Sequence, residues 1–458
     1  MPLSFDAILI GTGQANPALA ARLDAAGMKV AVIERDKFGG TCVNTGCMPT
    51  KTMVASAYAA HMARRAADYG VTIGGDIRVD MRRVHERAQA VAHTSSGNVE
   101  KWMRGLKHGQ VFHGHGRFLS PNTVAVGEQQ LTAPQIFIDV GGRAQIPQLP
   151  GLERLPHLTN SSIMRVDYLP AHLLIVGGSY VGLEFAQMFR RFGAQVTVID
   201  RSPTLLPRED PDVSKAIREI LTAEGITIES AADCLALEGE SGHITVTASC
   251  ASAQRRFSGS HLLLAAGRQP NTDDLGLEAA GVQLDKRGFI QVDEQCRSSV
   301  PGIWALGECN GRGAFTHTAY NDYEIVAASL FNEGPRRLSD RIPCYALFID
   351  PPLARIGLSE TEAKKQGHRL LVGTRPMTRV GRAVERGETL GFIKIIVDAD
   401  SEKILGASIL GIGGDEAIHC LLDTMYAGAS YKTVARAVHI HPTVSELLPT
   451  VLQDLHPA

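Results

Sequence analysis

The sequence predicts an α/β protein with two βαβ-type domains and a third, α+β domain. A short apolar strand runs into a glycine-rich turn at Gly11 and again at Gly177, and a helix-like stretch follows each turn. From about Ser339 onward, strand-like and helix-like stretches continue without such a turn. A chain of 458 residues has room for about three domains of this kind.

The first βαβ unit occupies residues 5–34 and carries the turn GTGQAN. Gly11 and Gly13 allow a tight turn and the close approach of a pyrophosphate to a helix N-terminus. Glu34 ends the second strand, where an acidic residue hydrogen-bonds a ribose. Asn16 stands where the pattern expects its third glycine, so we expect a slightly wider approach of the helix to the strand.

The second βαβ unit begins at His172 and carries the turn GGSYVG, followed by a helix predicted from Leu183 to Phe192. Gly177 and Gly182 match the outer glycines of the dinucleotide pattern, and Ser179 replaces the middle one. Each unit alone has a structural explanation, because glycine turns between strand and helix are common. Two units in order along one chain predict a two-nucleotide oxidoreductase.

The end of the second strand of this unit bears on the choice of coenzyme. Asp200 is the acid that binds a ribose 2′-hydroxyl and repels a 2′-phosphate, which favours NADH. Arg201 is adjacent and is able to neutralise a phosphate, so NADPH stays open.

Between the two units lies GGTCVNTGCMPTK, in which Cys42 and Cys47 are five positions apart and an apolar, helix-patterned run follows. We interpret the pair as a redox-active disulfide near the N-terminus of that helix, where free amide groups and the helix dipole stabilise a thiolate. A metal site and two unrelated core cysteines are the alternatives for a lone C-x4-C pattern. The dinucleotide turn just upstream favours the redox pair.

The stretch GGTCVNTGCMPTK resembles the active-site signature of the FAD-dependent pyridine nucleotide–disulfide oxidoreductases, a family that includes glutathione reductases, dihydrolipoamide dehydrogenases and mercuric reductases. The resemblance extends over nearly the whole chain. It implies two Rossmann-like dinucleotide-binding domains plus an α+β dimerisation domain. The implied divisions are an FAD-binding domain of residues 1–150 and 271–335, an NAD(P)-binding domain of residues 151–270 and an interface domain of residues 336–458.

The resemblance also implies the reaction, in which a hydride passes from NAD(P)H to FAD and then to the Cys42–Cys47 disulfide. By this resemblance Cys47 forms the charge-transfer thiolate beside the flavin and Cys42 attacks the substrate. Lys51 pairs with Glu184 beside the flavin, and Tyr180 resembles the family's aromatic gate, which swings aside for nicotinamide. For Glu184 the alternative is an ordinary exposed helix acid.

Further residues match segments that contact the two dinucleotides in this family. Glu308 stands where the family usually has aspartate, one methylene shorter. The candidate cofactor-binding residues are Gly11, Gly13, Glu34, Gly40, Thr41, Lys51, Gly116, Gly177, Tyr180, Gly182, Asp200, Arg201, Gly267, Gly307 and Glu308.

Near the C-terminus, HIHPTVSE resembles the family's C-terminal catalytic motif. The resemblance makes His441 a base and Glu446 the residue that orients it, acting on the disulfide of the other subunit of a homodimer. The alternative is a surface or core histidine without a catalytic role.

The stretches GCMPTK and HIHPTVSELLPT most resemble a mercuric-reductase-like branch. Mercuric reductases add a terminal cysteine pair, but no cysteine follows Cys420 here, so we expect any Hg(II) reduction to be slow. The resemblance implies a small-molecule or protein disulfide or another thiol-reactive compound as the acceptor, and the sequence does not identify which. Metal-ion reductase, dihydrolipoamide dehydrogenase and diaphorase activities are alternatives, and a redox sensor or scaffold is the alternative outside enzymes.

Composition narrows the partners. With 46 basic and 48 acidic residues the net charge is −2, which indicates neither nucleic acid nor an anionic membrane as a partner. The start of the sequence has no basic region followed by a long apolar stretch, so we expect no signal peptide. Eight scattered cysteines with one spaced pair suit a reducing cytoplasm, and we assign no metal ligands.

Overall fold

The computed structural model describes residues 1–250 and 253–458 of the chain. Two parallel sheets and one larger antiparallel sheet form the body of the fold, and smaller antiparallel or mixed sheets flank them. None of the described helices combines the length and the apolar character needed to cross a bilayer.

Helices connect and cover the sheets. In chain order they are α1 (Asn16–Ala25), α2 (Gly40–Asn44), α3 (Cys47–Arg64), α4 (Met81–Arg104), α5 (Tyr180–Phe192), α6 (Pro211–Ala223), α7 (Leu277–Ala280), α8 (Thr316–Phe331), α9 (Glu360–Lys365), α10 (Gly381–Glu385), α11 (Gly414–Ala417), α12 (His419–Tyr426), α13 (Lys432–Ala435) and α14 (Leu448–Gln453).

The strands are mostly short. In chain order they are β1 (Leu3–Ser4), β2 (Ala7–Ile10), β3 (Val30–Glu34), β4 (Gly109–His113), β5 (Gly116–Ser120), β6 (Thr123–Val126), β7 (Gln129–Thr132), β8 (Gln135–Ile138), β9 (Gly142–Ala144), β10 (His172–Val176), β11 (Gln195–Ile199), β12 (Thr227–Glu229), β13 (Ala232–Glu240), β14 (His243–Cys250), β15 (Ala253–Gly259), β16 (His261–Leu264), β17 (Arg268–Pro270), β18 (Ile303–Ala305), β19 (Cys344–Leu347), β20 (Leu353–Gly357), β21 (Leu370–Pro376), β22 (Phe392–Asp398), β23 (Ile404–Leu410) and β24 (His456–Pro457).

The first parallel sheet has the order β18-β8-β2-β3-β4. Its last strand in the sequence, β18, pairs with β8. The strands of the second parallel sheet lie between β8 and β18 in the sequence. In β2, Ile8 and Ile10 pack into one hydrophobic cluster, whereas Ala7 and Leu9 pack into another that includes Leu19 of α1. The sheet is thus covered on both faces, as parallel sheets usually are.

The second parallel sheet has the order β12-β11-β10-β16 and contains the unit β10-α5-β11. A three-stranded antiparallel sheet, β13-β14-β15, adjoins it. Apolar side chains of α5, including Phe185 and Phe189, join Leu173 and Ile175 of β10 in one buried cluster. This packing fixes the start of α5 above the carboxyl end of β10, where a dinucleotide binds in such units.

The third body is a six-stranded sheet of order β19-β20-β23-β22-β21-β24, in which all pairings are antiparallel. Its helices α10 to α14 follow or interrupt the strands and contain no glycine-rich dinucleotide turn. The predicted fold class, two Rossmann-like domains and an α+β domain, is confirmed.

One element boundary differs from the sequence prediction. Helix α5 begins at Tyr180 rather than Leu183, because Ser179 takes an extended N-cap conformation (φ −92°, ψ −178°).

Helices α3 and α4 are separated by a stretch without helix between Tyr69 and Met81. Gly70 and Gly75 there adopt φ values of 73° and 80°, which a helix does not accommodate.

Candidate active site

The two cysteines of the C-x4-C pattern lie at consecutive helix ends. Cys42 belongs to α2, and Cys47 is the first residue of α3. Both are free thiols. The Cys47 sulfur also lies 3.4 Å from the hydroxyl of Thr316, the first residue of α8. The first residues of two helices, α3 and α8, therefore meet at the Cys47 sulfur, where a helix dipole favours negative charge.

This arrangement shifts the pKa values of the two thiols in opposite directions. The hydrogen bond from Cys42, with smaller contributions from Thr316 and the Lys51 ammonium, lowers the pKa of Cys47 from 9.0 to about 6. The same hydrogen bond, together with burial, raises the pKa of Cys42 well above its ordinary value. At neutral pH the pair therefore carries one thiolate, on Cys47, and one thiol, on Cys42.

Lys51 lies one turn beyond Cys47 on α3 and forms an ion pair with Glu184 of α5, with 2.6 Å between Nζ and Oε2. The Lys51 ammonium is also 4.6 Å from the ring centroid of Phe348. The backbone N–H of Phe348 donates to the other oxygen of Glu184 at 2.9 Å. Glu184 is thus a buried, fully engaged carboxylate rather than an exposed helix acid.

The turn of the first βαβ unit has the expected geometry. Gly11 has φ +86°, and a Cβ there would lie 2.3 Å from the carbonyl oxygen of Asp139. Glu34 is buried at the end of β3, and it accepts hydrogen bonds from the backbone N–H and the hydroxyl of Thr12. Asn16 is buried, and its amide group donates to the carbonyl of Gly11 at 2.9 Å. The Asn16 side chain therefore bonds to the chain at the carboxyl end of β2, which α1 could approach more closely if residue 16 were glycine.

Asp139 is a site residue that sequence reasoning missed. It is fully buried, and its Oδ2 accepts hydrogen bonds of 3.0 Å from the backbone N–H groups of Ala15 and Asn16. A Cβ on Gly13 would lie 2.5 Å from its Oδ1, and one on Gly307 would lie 2.8 Å away. Burial raises the pKa of Asp139 to about 7, and the nearby carboxylates add to this rise.

The second glycine segment lies against the first. A Cβ on Gly40 would stand 3.1 Å from the Cα of Gly13, and Thr41 follows in the first turn of α2. Gly307 begins the turn after β18, so it adjoins the same point through Asp139. The structure thus brings Gly11, Gly13, Gly40 and Gly307 together around the start of α1.

Three other candidates of the first site have well-defined surroundings. Glu308 is paired with Arg268, whose Nε and Nη2 donate to its two oxygens at 2.6 and 2.8 Å. Gly116 begins β5, where a Cβ would lie 3.2 Å from the side chain of Ile10. Gly267 has φ +131° and immediately precedes Arg268. No sequence pattern indicated that Arg268 would pair with the carboxylate of Glu308.

The turn of the second βαβ unit is equally tight. A Cβ on Gly182 would lie 2.0 Å from the carbonyl oxygen of Gly177, so α5 can approach β10 only with glycine at this position. A Cβ on Gly178 would lie 2.7 Å from Oδ2 of Asp200. Burial raises the pKa of Asp200, against the backbone hydrogen bonds it accepts, and Arg201 is exposed beside it.

Tyr180 lies at the start of α5, and its hydroxyl donates to Oε1 of Glu209 at 2.9 Å. The hydroxyl of Tyr345 in β19 donates to the same oxygen at 2.7 Å. Neither Glu209 nor Tyr345 was a candidate from the sequence. Their contacts join residues 29 and 136 positions apart, which no local pattern reveals.

His441 and Glu446 also come together, with 2.8 Å between Nδ1 and Oε2. The His441 side chain is 78% exposed. Next to it, Val438 is 100% exposed and Ile440 is 81% exposed. The Glu446 carboxylate thus orients the imidazole of His441, and most of that side chain remains exposed to solvent. No group of three or more His, Cys, Asp and Glu side chains stands in metal-binding geometry within residues 1–250 and 253–458.

Comparison with known families resolves what this architecture is. The family model described as pyridine nucleotide-disulphide oxidoreductase matches residues 5–322, and the model of the dimerisation domain of the same family matches residues 344–452. The chain belongs to the pyridine nucleotide–disulfide oxidoreductases of class I. It is therefore a flavoprotein that transfers electrons from NAD(P)H through FAD to a disulfide.

Individual relatives span several activities in this family. The chain is 33% identical to the probable pyridine nucleotide-disulfide oxidoreductase RclA of Escherichia coli strain K12, with 97% of this chain and 98% of the relative covered. It is 31% identical to a dihydrolipoyl dehydrogenase of Bacillus subtilis strain 168, covering 98% and 97%. It is also 31% identical to a mercuric reductase of Streptomyces lividans, covering 98% and 96%. These identities differ by two percentage points, so they do not single out the mercuric-reductase-like branch.

A solved structure agrees with the fold over the whole chain. The Cu(II) complex of the HOCl-induced flavoprotein disulfide reductase RclA from Escherichia coli superposes with a TM-score of 0.89 at 32% identity, covering 98% of this chain and 99% of that chain.

The residues of this chain fit the flavin dinucleotide of the family. Around the start of α1 and α2, a Cβ at Gly11 or Gly40 would contact a neighbouring backbone, so glycine at these positions lets a diphosphate approach the main chain closely. Within residues 1–250 and 253–458, the side-chain oxygen of Asn16 is buried there without a hydrogen-bond partner. One feature is unusual, because Asp139 already occupies the N–H groups of Ala15 and Asn16. A diphosphate at this turn would thus have a buried carboxyl group as its neighbour.

Proposed function

We propose that Cys42 and Cys47 are the redox pair of this reductase, with Cys42 attacking the acceptor and Cys47 re-forming the disulfide. The observation that carries the proposal is the position of Cys47 at the N-terminus of α3, 3.4 Å from the Thr316 hydroxyl and one turn before the Lys51–Glu184 ion pair. The neighbouring Cys42 thiol and the Lys51 ammonium lower the pKa of Cys47 there. Bound FAD supplies hydride acceptance from NAD(P)H and two-electron transfer to the disulfide.

The thiol chemistry balances as an ordinary exchange. Cys42 attacks one sulfur of a disulfide acceptor, which forms a mixed disulfide and releases one thiol of the acceptor. The Cys47 thiolate then attacks the Cys42 sulfur, which releases the second thiol and re-forms the Cys42–Cys47 disulfide. Each turnover thus converts one acceptor disulfide into two thiols at the expense of two electrons from NAD(P)H.

Lys51 and Glu184 hold the charge beside this pair. The ammonium of Lys51 lowers the pKa of Cys47, and Glu184 fixes that ammonium through a 2.6 Å contact. Because Glu184 is only 8% exposed at its side chain, this contact acts in a region of low effective dielectric. Lys51 therefore stabilises negative charge at the reacting centre.

Two sets of residues bind the dinucleotides in this proposal. The FAD is held by Gly11, Gly13, Glu34, Gly40, Thr41, Lys51, Gly116, Gly267, Gly307 and Glu308. The nicotinamide dinucleotide is held by Gly177, Tyr180, Gly182, Asp200 and Arg201. The buried position of Asp200 and the exposed position of Arg201 support NADH as the preferred coenzyme.

The working unit in this proposal is a homodimer with shared active sites. Cys42 has a raised pKa, so its attack requires a general base within about 3 Å, directly or through one water. The oriented and exposed His441, flanked by the exposed apolar Val438 and Ile440, suits a base that acts on a second copy of the chain. The family's dimerisation domain matches the same region.

The proposed domains are an FAD-binding domain of residues 1–150 and 271–335, an NAD(P)-binding domain of residues 151–270 and an interface domain of residues 336–458. The strand composition of the three main sheets supports this division. We further propose a cytoplasmic location, because the exposed Cys47 and Cys234 are free thiols, which a reducing compartment preserves.

A soft metal ion is a second candidate acceptor. Two adjacent thiols with one thiolate form a suitable ligand pair for such ions. Relatives include a mercuric reductase, and RclA of Escherichia coli has been solved as a Cu(II) complex. Because two thiols at the active site alone would trap a soft ion, we expect Hg(II) reduction to be slow and inhibited by excess metal.

The deciding experiment is steady-state oxidation of NADH and NADPH by the holoenzyme with a panel of acceptors. The panel contains low-molecular-weight disulfides, a protein disulfide, lipoamide, a quinone, Cu(II) and Hg(II). Cys42→Ser and Cys47→Ser should abolish turnover with disulfides, whereas Cys234→Ser, at an exposed free cysteine, should not. Wild-type rates in both active-site variants would overturn the dithiol mechanism, and absence of turnover with every acceptor would favour a sensor or scaffold.

A further inference from the structure

Asp139 lies at the dinucleotide turn of the first Rossmann-like domain. It follows β8 directly, and only 4% of the residue is exposed. Its Oδ2 accepts hydrogen bonds of 3.0 Å from the backbone N–H groups of Ala15 and Asn16, at the start of α1. In Rossmann-like units the N–H groups at this helix start face the diphosphate of the bound dinucleotide. The carboxyl group thus takes up two N–H groups of the kind that bind a diphosphate.

The glycines of the candidate FAD site lie directly against this carboxyl group. A Cβ on Gly13 would lie 2.5 Å from Oδ1 of Asp139, and a Cβ on Gly307 would lie 2.8 Å from the same oxygen. Oδ1 is therefore enclosed between two glycine segments, whereas both backbone hydrogen bonds go to Oδ2. A diphosphate bound at this turn would have the Asp139 carboxyl group as a near neighbour.

The nearby carboxylates disfavour a negative charge on Asp139. Burial raises the pKa of Asp139 to about 7 against its two backbone hydrogen bonds, and the carboxylates of Asp322 on α8 and Glu34 on β3 add to this rise. The guanidinium of Arg341 is close, but it pairs with Asp322. The charge of that cation is therefore already offset by a carboxylate other than Asp139.

The turn after β18, residues 307–310, adds one neutral group and one paired group. Cys309 is buried, and burial together with the Asp139 carboxylate raises the pKa of its thiol, which stays neutral. Glu308 pairs with Arg268, with 2.6 Å between Oε1 and Nε. The second cation near this turn is thus also paired with another carboxylate.

Asp210 makes the same kind of contact in different electrostatic surroundings. It accepts hydrogen bonds of 3.1 Å from the backbone N–H groups of Glu360 and Thr361, at the start of α9. It also pairs with Lys394 at 3.2 Å. Burial acts to raise the pKa of Asp210, but these hydrogen bonds and the Lys394 ammonium outweigh it and lower that pKa. Accepting from two N–H groups therefore does not by itself keep a carboxyl group protonated, and the surrounding charges make the difference at Asp139.

A bound diphosphate would add further negative charge at this point. A like charge disfavours the ionised form of a carboxyl group, and it does so strongly in a buried site. Protonation removes the charge of Asp139 and leaves Oδ2 free to accept from Ala15 and Asn16. The protonated group also gains an O–H, which is a hydrogen-bond donor that a carboxylate lacks. The protonated form is thus the one that tolerates a diphosphate as its neighbour.

We propose that FAD binds to the form of the chain in which Asp139 is protonated, so that binding is coupled to the uptake of one proton from solvent. This inference rests on the proposed FAD site in the first Rossmann-like domain. Because the diphosphate stabilises the protonated form, Asp139 titrates at a higher pH in the holoenzyme than in the FAD-free chain. The affinity for FAD is therefore complete below about pH 7 and falls as the pH rises above it, by up to about tenfold per pH unit.

The test measures the Kd of the full chain for FAD at a series of pH values. The holoenzyme is diluted at each pH from about 5.5 to about 9, and free FAD is separated by ultrafiltration and quantified by its fluorescence. We expect the wild-type Kd to be constant below about pH 7 and to rise by about 10- to 100-fold between pH 7 and pH 9. Asp139→Asn keeps an oxygen acceptor without a charge, so its Kd should be constant over the whole range.

A control variant and a second measurement make the test specific. Asp210→Asn also removes a buried carboxylate that accepts from two backbone N–H groups, and it should keep the wild-type pH dependence of the Kd. Calorimetric titration of the FAD-free full chain with FAD at about pH 8, in two buffers of different ionisation enthalpy, counts the protons directly. Wild-type protein should take up about one proton per FAD, and Asp139→Asn should take up none.

The outcomes separate the proton coupling from the site on which it rests. A wild-type Kd that stays constant from pH 7 to pH 9, or binding of FAD at pH 8 without proton uptake, would overturn the coupling. The same pH dependence in Asp139→Asn as in the wild type would assign the proton to another group and would also overturn it. A wild-type chain that binds no FAD at any pH would overturn the assignment of the FAD site, and the coupling with it.

Discussion

Lys51 and Glu184 are 133 positions apart in the chain, and their ion pair of 2.6 Å joins the helix that carries Cys47 to the helix that opens the second Rossmann-like domain. Phe348, near the start of the C-terminal sheet, contacts both residues. Its ring lies under the Lys51 ammonium, and its backbone N–H donates to Glu184. All three bodies of the fold thus meet at one buried carboxylate.

Glu184→Gln tests this junction. The change keeps the size and the hydrogen bond from Phe348 but removes the charge that fixes the Lys51 ammonium. We expect the rate of reduction by NAD(P)H, measured by stopped flow, to fall by about 10- to 100-fold, while the Kd for the oxidised coenzyme stays the same. Glu100→Gln, in an exposed ion pair with Arg104, is the control. Equal rates in both variants would show that Glu184 is structural only.

The thiolate on Cys47 has its own test, because the largest cause of its low pKa is the hydrogen bond with Cys42. In the reduced protein, alkylation of Cys47 by iodoacetamide should reach half its maximal rate at about pH 6. Cys42→Ser replaces the thiol donor, and Lys51→Met removes the ammonium; both changes should raise that midpoint. Peptide mass spectrometry at a series of pH values follows the reaction, and the exposed Cys234 in the same samples calibrates the reagent. An unchanged midpoint in both variants would contradict the assignment.

Asp139 should make the stability of the protein depend on pH. Its pKa is raised from 3.8 to about 7 in the folded state, so the folded chain holds a proton that the unfolded chain releases between these values. Because the unfolded state then binds fewer protons, stability falls as the pH rises from about 4 to about 7 and is level above that.

Asp139→Asn removes this dependence, since the amide oxygen still accepts from Ala15 and Asn16 but carries no charge. Relative to the wild type, the variant should gain unfolding free energy between pH 4 and pH 7, on the order of a few kcal/mol. Its Tm should therefore rise relative to that of the wild type over the same pH range. Thermal unfolding at several pH values measures it. A difference that is constant across this window would contradict the raised pKa.

The sequence predicted those parts of the site that lie within one pattern. The glycines of both turns, the two cysteines and the His441–Glu446 pair are each spaced along one loop or helix, so local geometry determines their arrangement. Lys51 and Glu184 were paired by the family resemblance alone, because no spacing rule connects α3 to α5.

The remaining residues were missed for a physical reason. Asp139, Arg268, Glu209 and Tyr345 act through contacts between elements that are distant in sequence, such as the 124 positions from Ala15 to Asp139. A signal was available for one of them: Asp139 follows an apolar strand directly, and carboxyl ends of parallel strands meet at one edge of a sheet.

Shared active sites can be tested by mixing two inactive chains. If Cys42 of one chain works with His441 of the other, a heterodimer of Cys42→Ser and His441→Ala chains keeps one intact site. Activity should return to about half of the wild-type value per dimer. Differently tagged chains allow the heterodimer to be isolated before the assay. No recovery in confirmed heterodimers would mean that both groups act within one chain.

The central claim is that electrons pass to the Cys42–Cys47 disulfide, and an anaerobic reductive titration of the holoenzyme tests it most directly. Wild-type protein should take up about four electrons per FAD, two at the flavin and two at the disulfide. Two additional cysteine thiols should then react with a thiol reagent. Cys42→Ser and Cys47→Ser should each take up about two electrons, while Cys234→Ser behaves as the wild type. An uptake of only two electrons by the wild-type protein would contradict the account.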